Sequence, residues 1–252
     1  MENKEYGAAA GSPDAPYLNG LARRSAVAES YFAVTHPSLP NYLALIGGDT
    51  FGITSDCTGC HVSARNVVDQ LKAAGITWKA YMDGVPRPCF TGSSAGRYAK
   101  KHNPFVYFDD ITGDRARCAR IVPMTELPAD ERSGLPQFVW ITPDLCHDTH
   151  DCPGRTGDDF LSQLLPPLIA ALGPGGVVLV TYDEGTTRSG CCSYAHGGRV
   201  FTIAAGPGVR SGRYAQRFDH YSLLRTIEER FGLGYLARAG SASTKSMSPM
   251  LR

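Results

Sequence analysis

The sequence predicts an α/β fold of three layers, α/β/α, with a mostly parallel central sheet. Three observations lead there. Short runs of β-formers alternate with segments of helical periodicity, the pattern of strands joined by crossover helices. The run Gly176-Val177-Val178-Leu179-Val180-Thr181-Tyr182 is apolar enough for a strand covered on both faces. No internal repeat or linker divides the 252 residues, so a single domain over residues 1–252 is expected.

In chain order, residues 7–20 are small and Gly- and Pro-containing and read as a loop, with Tyr17–Ala22 as a short helix. Ser30–Val34 reads as a strand. Tyr42–Ile46 reads as the start of a buried helix, closed by Gly47-Gly48, with Pro40 at its first helical position. Ala64–Ala74 carries Val67, Val68 and Leu71 at helical spacing and stops at Gly75. Ile76–Met82 reads as a strand, and residues 83–120 as a long irregular cover of the kind that lies over active sites. Gln137–Thr142 is a buried strand. Asp158–Leu172 is helical, bent or split by Pro166-Pro167. Strand Val200–Ala205, a helix from His220 to Phe231 and a short polar tail over residues 234–252 complete the chain.

Composition narrows the function. Hydrophobic content of 42% and charged content of 19% are those of a globular protein. A formal net charge of +1 removes any global electrostatic case for nucleic acid, and no nucleic-acid partner is expected. No run reaches the roughly 18 apolar residues of a membrane span. The eight cysteines cluster as Cys57/Cys60, Cys89/Cys118, Cys146/Cys152 and the vicinal Cys191/Cys192. Eight cysteines admit about 105 connectivities, so local bridges are the simplest of many. Zinc on Cys57-x-x-Cys60-His61 is the rival, but a second half-site at suitable spacing is absent. Cysteine content favours an oxidising compartment, and so a secreted or extracytoplasmic protein. Met1-Glu2-Asn3-Lys4-Glu5-Tyr6 lacks the apolar core of a signal peptide.

Chemistry-bearing residues collect after the strands, where open α/β sheets bind ligands. The Ser30–Val34 strand delivers His36, Ser38 and Asn41; the Gln137–Thr142 strand delivers Asp144, His147, Asp148 and His150; the Val177–Tyr182 strand delivers Asp183 and Glu184. His196 precedes its own strand. Ser38 lies at a helix mouth, where unpaired N–H groups favour an anion, and Asn41 can turn its amide to the same point. The plainer reading of Ser38 is a helix N-cap. Adjacent Asp183 and Glu184 repel unless a cation holds them. Their oxygens suit Mg²⁺, Ca²⁺ or Mn²⁺, and nearby histidines leave Zn²⁺ open. Beside a serine, such a cation lowers the hydroxyl pKa and stabilises a bound phosphoryl group. Arg87, Arg97, Lys100 and Lys101 form either a cationic rim for an anionic headgroup or a solvated face.

The motifs Glu2-Asn3, His36-Pro37-Ser38-Leu39-Pro40-Asn41-Tyr42, Trp78-Lys79-Ala80-Tyr81, Lys101-His102-Asn103-Pro104-Phe105, Thr142-Pro143-Asp144, Asp148-Thr149-His150-Asp151 and Thr181-Tyr182-Asp183-Glu184-Gly185 recur in order. Together they resemble the bacterial phosphoesterase family of secreted acid phosphatases and phospholipases C. Among its branches the chain looks most like the short actinobacterial acid phosphatases, some of them phosphatidylinositol-3-phosphatases. The resemblance implies an alkaline-phosphatase-like fold and one divalent metal ion held by Glu2, Asn3, Ser38, Asp183 and Glu184. It implies Ser38 as nucleophile through a phosphoserine, Asn41 as donor to the phosphoryl oxygens, and His102 and His150 around the phosphate, one protonating the leaving group. His36, His196 and Asp148 fall beside the substrate. The implied substrate is a phosphate monoester, a lipid headgroup among the candidates. The alternatives are a phospholipase C or other phosphodiesterase, and an inactive, binding-only homologue. In that family a buried strand leads into the Glu-Asn pair. The expectation is therefore that this strand and a signal peptide are missing from the chain, leaving Glu2 and Asn3 without support.

Overall fold

The computed structural model describes residues 1–252. The elements are α1 (Tyr6–Ala9), α2 (Pro16–Ala22), β1 (Ala26–Phe32), α3 (Ser38–Gly47), α4 (Val67–Ala73), β2 (Trp78–Met82), β3 (Ser94–Ala95), β4 (Tyr98–Ala99), α5 (Asp109–Thr112) and α6 (Arg115–Cys118). They continue with β5 (Ile121–Pro123), α7 (Leu127–Ser133), β6 (Phe138–Thr142), α8 (Gly154–Ala170), β7 (Val178–Val180), β8 (Thr202–Ala205), β9 (Gly212–Asp219) and α9 (His220–Arg230).

The expected central sheet is present as two sheets. One runs β7-β8-β1-β9 and the other β5-β2-β6. The second is wholly parallel, whereas β8 is antiparallel to both β1 and β7. β7, expected at the centre, is an edge strand: Val178 and Leu179 remain half-buried. Neither β7 nor β6 has a ladder partner on its other side, and both line an apolar cleft of about 810 Å³ together with Leu161, Leu165 and Ile227. Elsewhere the interior is closed, with Val27, Tyr31, Leu43, Ile46, Phe105 and Leu224 fully buried.

Several local expectations change. Strand β9 escapes the sequence reading because Arg213, Gln216 and Arg217 give it no apolar run, yet it pairs parallel with β1 through six residues from Ala26 to Phe32. α8 continues through Pro166 and Pro167. Both prolines are exposed, so the carbonyls they leave without an N–H partner can bond water. α4 begins at Val67 because Asn66 and Asp69 form a capping box. Residues 237–252 are docked: Met247 and Met250 are fully buried, and Val209 bridges to Leu251.

Cys57–Cys60, Cys89–Cys118, Cys146–Cys152 and Cys191–Cys192 lie paired and no cysteine is free. Cys57 and Cys60 are thus committed to each other, not to a zinc half-site.

The expectation that Glu2 and Asn3 would lack support is corrected. The Met1 amino group donates to Thr181 O at 3.2 Å and Asp183 N–H donates to Met1 O at 3.0 Å. Those two bonds make one rung of a parallel ladder opposite Tyr182, just beyond β7. Glu2 N–H donates to Asp148 O at 2.7 Å, and Thr149 Oγ1 donates to Glu2 O at 2.9 Å. Asn3 takes a φ of 48°, a left-handed conformation that asparagine tolerates well.

Candidate active site

β1 runs through Phe32 and hands the chain to a turn at residues 33–37, from which α3 departs with Ser38 as its first residue. The turn is clasped from within. Asn41 Oδ1 accepts from Val34 N–H at 2.9 Å and Thr35 N–H at 3.0 Å, while Asn41 Nδ2 donates to Thr35 O at 2.8 Å and Pro37 O at 3.1 Å. All four hydrogen-bonding positions of the amide are filled. Asn41 therefore fixes the turn and has nothing left for a phosphoryl oxygen, which corrects the expected donor role. Gly197 permits the next strand of chain to lie against this turn, since a Cβ there would meet Thr35 O at 2.4 Å. Gly48 closes α3 at φ 74°.

Ser38 is buried and its hydroxyl caps no helix. Its Oγ faces Glu2 Oε2 at 3.1 Å and Glu184 Oε1 at 3.2 Å. A hydroxyl has one proton, so it satisfies only one of these carboxylates at a time. Asp183 lies beside them: its Oδ1 accepts Asn3 N–H at 3.2 Å. Asp183 Oδ2 and Asn3 Oδ1 are buried without a hydrogen-bond partner. The donor set is thus two carboxylates against the serine, a third carboxylate with a free oxygen, and an amide oxygen.

The electrostatics carry the mark of crowded anions. Burial, reinforced by the charges of Glu2 and Glu184, pushes the Asp183 carboxyl well above the usual range. Burial also raises Glu184, against the opposing pull of His36. Burial pushes Glu2 up too, but the neighbouring His102 more than offsets it and holds Glu2 at about 2. His102, though buried, is raised to about 10 because Glu2 and Asp148 flank it. Its Nε2 lies 3.2 Å from Glu2 Oε2 and its Nδ1 3.2 Å from Asp148 Oδ2. Such orphaned oxygens around excess negative charge fit a hard divalent cation held by Glu2, Asn3, Ser38, Asp183 and Glu184. Glu2, His102 and Asp148 have their ligand atoms within 4.8 Å of one another.

The remaining expected residues divide. His36 directs Nδ1 to Glu184 Oε2 and Nε2 to Thr187 O (2.8 Å), so both ring nitrogens are engaged and it holds Glu184 in place. Asp148 is fully buried, its Oδ1 accepting His150 N–H at 2.7 Å and its Oδ2 facing His102, and so positions the histidines. His196 is exposed and donates its backbone N–H to Val34 O at 3.0 Å; it stays outside the cluster. His150 lies at the rim, 5.8 Å from His102 between ring centroids, with Nδ1 on Asp151 at 2.6 Å.

Of the proposed rim, Arg87 and Arg97 are exposed and Lys100 Nζ donates to Thr58 O at 2.7 Å. Lys101 alone turns to the site. Sequence reasoning missed Tyr42 as a site residue, whose buried hydroxyl donates to Glu2 Oε1. The signal was available: Ser38 and Tyr42 are four residues apart and share a helix face. It also missed His220, which accepts from Tyr31 OH at 2.9 Å and donates to the Asp183 carbonyl, and Glu5, which binds the N–H groups of Thr186, Thr187 and Arg199. Burial lowers His220 to about 4, keeping this buried support neutral.

Comparison with known proteins identifies the family and the fold. The family model described as "Phosphoesterase family" matches residues 11–234. That span begins after Glu2 and Asn3, whose place in the site rests on the geometry above. The chain is 33% identical over 246 residues to a phosphatidylinositol-3-phosphatase of Mycobacterium tuberculosis, covering 94% of this chain and 78% of that protein. It is 34% identical over 255 residues to a probable acid phosphatase of Kluyveromyces lactis, covering 94% of this chain and 58% of that protein. A hemolytic phospholipase C of Pseudomonas aeruginosa stands further off, at 25% identity over 87% of this chain and 39% of that protein. A solved structure in the alkaline phosphatase superfamily from Vibrio parahaemolyticus superposes with a TM-score of 0.60 at 13% identity, over 92% of this chain and 65% of that one. The fold is thus alkaline-phosphatase-like.

Proposed function

The chain belongs to the phosphoesterase family, and we propose that it is a metal-dependent acid phosphatase that hydrolyses phosphate monoesters through Ser38. The observation that carries this reading is Ser38 Oγ held 3.1 Å and 3.2 Å from two buried carboxylates, with unpartnered oxygens of Asn3 and Asp183 beside them. When bound there, a divalent cation neutralises the carboxylates and favours the serine alkoxide. The identity of the cation follows the oxygen-rich donor set, favouring Mg²⁺, Ca²⁺ or Mn²⁺ over Zn²⁺.

Ser38 gives its hydroxyl proton to the Glu184 carboxylate 3.2 Å away, its Oγ attacks phosphorus, the bond to the leaving oxygen breaks, and the phosphoryl group passes to the serine. Water then attacks the phosphoserine, phosphate is released, and Ser38 Oγ takes its proton back from Glu184. To His150, at the rim, falls the proton exchange with the leaving oxygen and the incoming water, its Nε2 turning from Lys101 Nζ to do so. His102, enclosed by Glu2 and Asp148, supplies positive charge near the nucleophile and fixes Glu2. His36, Tyr42 and His220 hold Glu184, Glu2 and Asp183 in position.

The four cysteine pairs support work outside a reducing compartment. No helix is long and apolar enough to cross a membrane. Phosphatidylinositol 3-phosphate is the lipid substrate to assay, since a relative at 33% identity is named for that activity. The deciding comparison is turnover of p-nitrophenyl phosphate against p-nitrophenyl phosphorylcholine with and without chelator. Preference for the diester overturns the proposal.

A further inference from the structure

The mouth of α3 offers a phosphate little of what a helix N-terminus usually gives. Leu39 N–H, the amide following the nucleophile, donates to Asp56 Oδ1 at 2.9 Å. Pro40 has no N–H, and the Asn41 side chain is filled by the turn. Beyond what a bound cation would supply, positive charge for the phosphoryl oxygens must therefore come from side chains.

One side chain is built for it. Lys101 Nζ donates to Asp56 Oδ2 at 3.1 Å and lies 3.3 Å from His150 Nε2. The Lys101 side chain is only 22% exposed and that of Asp56 28%. Asp56 thereby ties the lysine to the same α3 terminus that carries Ser38: one carboxylate oxygen takes the amide next to the nucleophile, the other takes the ammonium. Around Ser38 this closes a ring of contacts through Leu39, Asp56, Lys101, His150, Asp148, His102 and Glu2. Lysine is a flexible point charge that loses rotamer freedom when held, so a half-buried carboxylate partner preorganises it.

Building on the phosphomonoesterase reading, we propose that Lys101 binds the non-bridging oxygens of the substrate phosphoryl group and selects monoesters over diesters, with Asp56 as its positioning residue. A monoester presents three non-bridging oxygens and up to two negative charges; a diester presents two oxygens and one charge. An ammonium tied through Asp56 to the helix end that carries the nucleophile rewards the additional charge and oxygen, and discrimination follows from leaving that ammonium poorly paired when a diester binds.

The test uses the full chain loaded with divalent metal. Lys101→Met is expected to lower kcat/KM for p-nitrophenyl phosphate about 100-fold and for p-nitrophenyl phosphorylcholine less than about threefold, with Lys101→Arg recovering most of the monoester rate. Calorimetric titration with inorganic phosphate should give at least about tenfold weaker binding in Lys101→Met. Asp56→Asn keeps an oxygen for Leu39 N–H but removes the charge facing Lys101, and should raise KM about tenfold with kcat little changed. Unchanged phosphate affinity in Lys101→Met overturns the assignment, as does an equal loss on both esters. A parent chain without monoesterase turnover would refute the catalytic reading, while the phosphate titration still decides Lys101.

Discussion

Ser38 Oγ lies 3.1 Å from Glu2 Oε2, although 36 residues of chain separate the two. The contact is possible because Met1 forms a ladder rung opposite Tyr182 while α3 brings Ser38 in from the other side. Glu184 completes the arrangement at 3.2 Å, so one hydroxyl proton sits between two carboxylates.

Replacing that hydroxyl should end turnover. Ser38→Ala is expected to lower kcat for p-nitrophenyl phosphate by on the order of 10³ or more, with a far-ultraviolet circular dichroism spectrum like the parent's. A fully active Ser38→Ala would falsify the nucleophile assignment.

Metal removal should act on stability as well as on rate. Glu2, Asp183 and Glu184 crowd negative charge into a buried site, and a ligand present at about 100 times its dissociation constant stabilises a fold by about 2.7 kcal/mol. Chelation is expected to abolish activity and lower the melting temperature, both restored by a divalent cation. In Asp183→Asn the difference in melting temperature between loaded and stripped protein should shrink. An identical difference in parent and variant would remove Asp183 from the ligand set.

Tyr42→Phe deletes only the hydroxyl that donates to Glu2 Oε1. A buried carboxylate deprived of a hydrogen bond costs about 1–3 kcal/mol. The expected result is about a tenfold loss of kcat/KM with the protein still folded. Rates equal to the parent's would mean that Glu2 needs no such support.

Glu228 provides a pH test away from the site. Burial pushes its carboxyl to about 7 from the ordinary 4.5, despite bonds from Leu236 N–H (2.8 Å) and Gln70 Nε2 (3.2 Å). The unfolded chain ionises this group near 4.5 and the folded chain only near 7, so the unfolded state binds fewer protons in between. Its contribution is fully present below about 4.5, is lost as pH rises to about 7, and is level beyond. Glu228→Gln should flatten the denaturation midpoint across that window and stabilise the protein at pH 8. A midpoint that still falls by the parent's amount assigns the effect to another group.

Much of the site could be read locally. Ser38 after a strand and Asp183-Glu184 after an apolar run announce themselves by residue type and position, because strand ends in this architecture converge on one edge. The three local cysteine pairs were likewise visible from spacing. Asn41, His36, Asp148 and His196 were placed at the correct edge but given roles that geometry reassigns. Their types suit substrate binding and structural bonding equally, and the choice depends on which backbone groups arrive beside them. Asp56 lay in a cysteine-bearing loop with no local signal, since its partners Leu39 and Lys101 are 17 and 45 residues away.

The sequence by itself determined the family, the α/β architecture and the candidate serine and acidic pair, because these depend on short-range pattern and residue chemistry. The tertiary structure alone decided that β7 is an edge strand, that Met1 is anchored to the backbone of Thr181 and Asp183, Glu2 to the Asp148 carbonyl and Asn3 to the Asp183 side chain, and that Asn41 serves the turn. The physical reason is that each hydrogen-bonding group has a fixed capacity, and only the assembled chain shows which partners fill it.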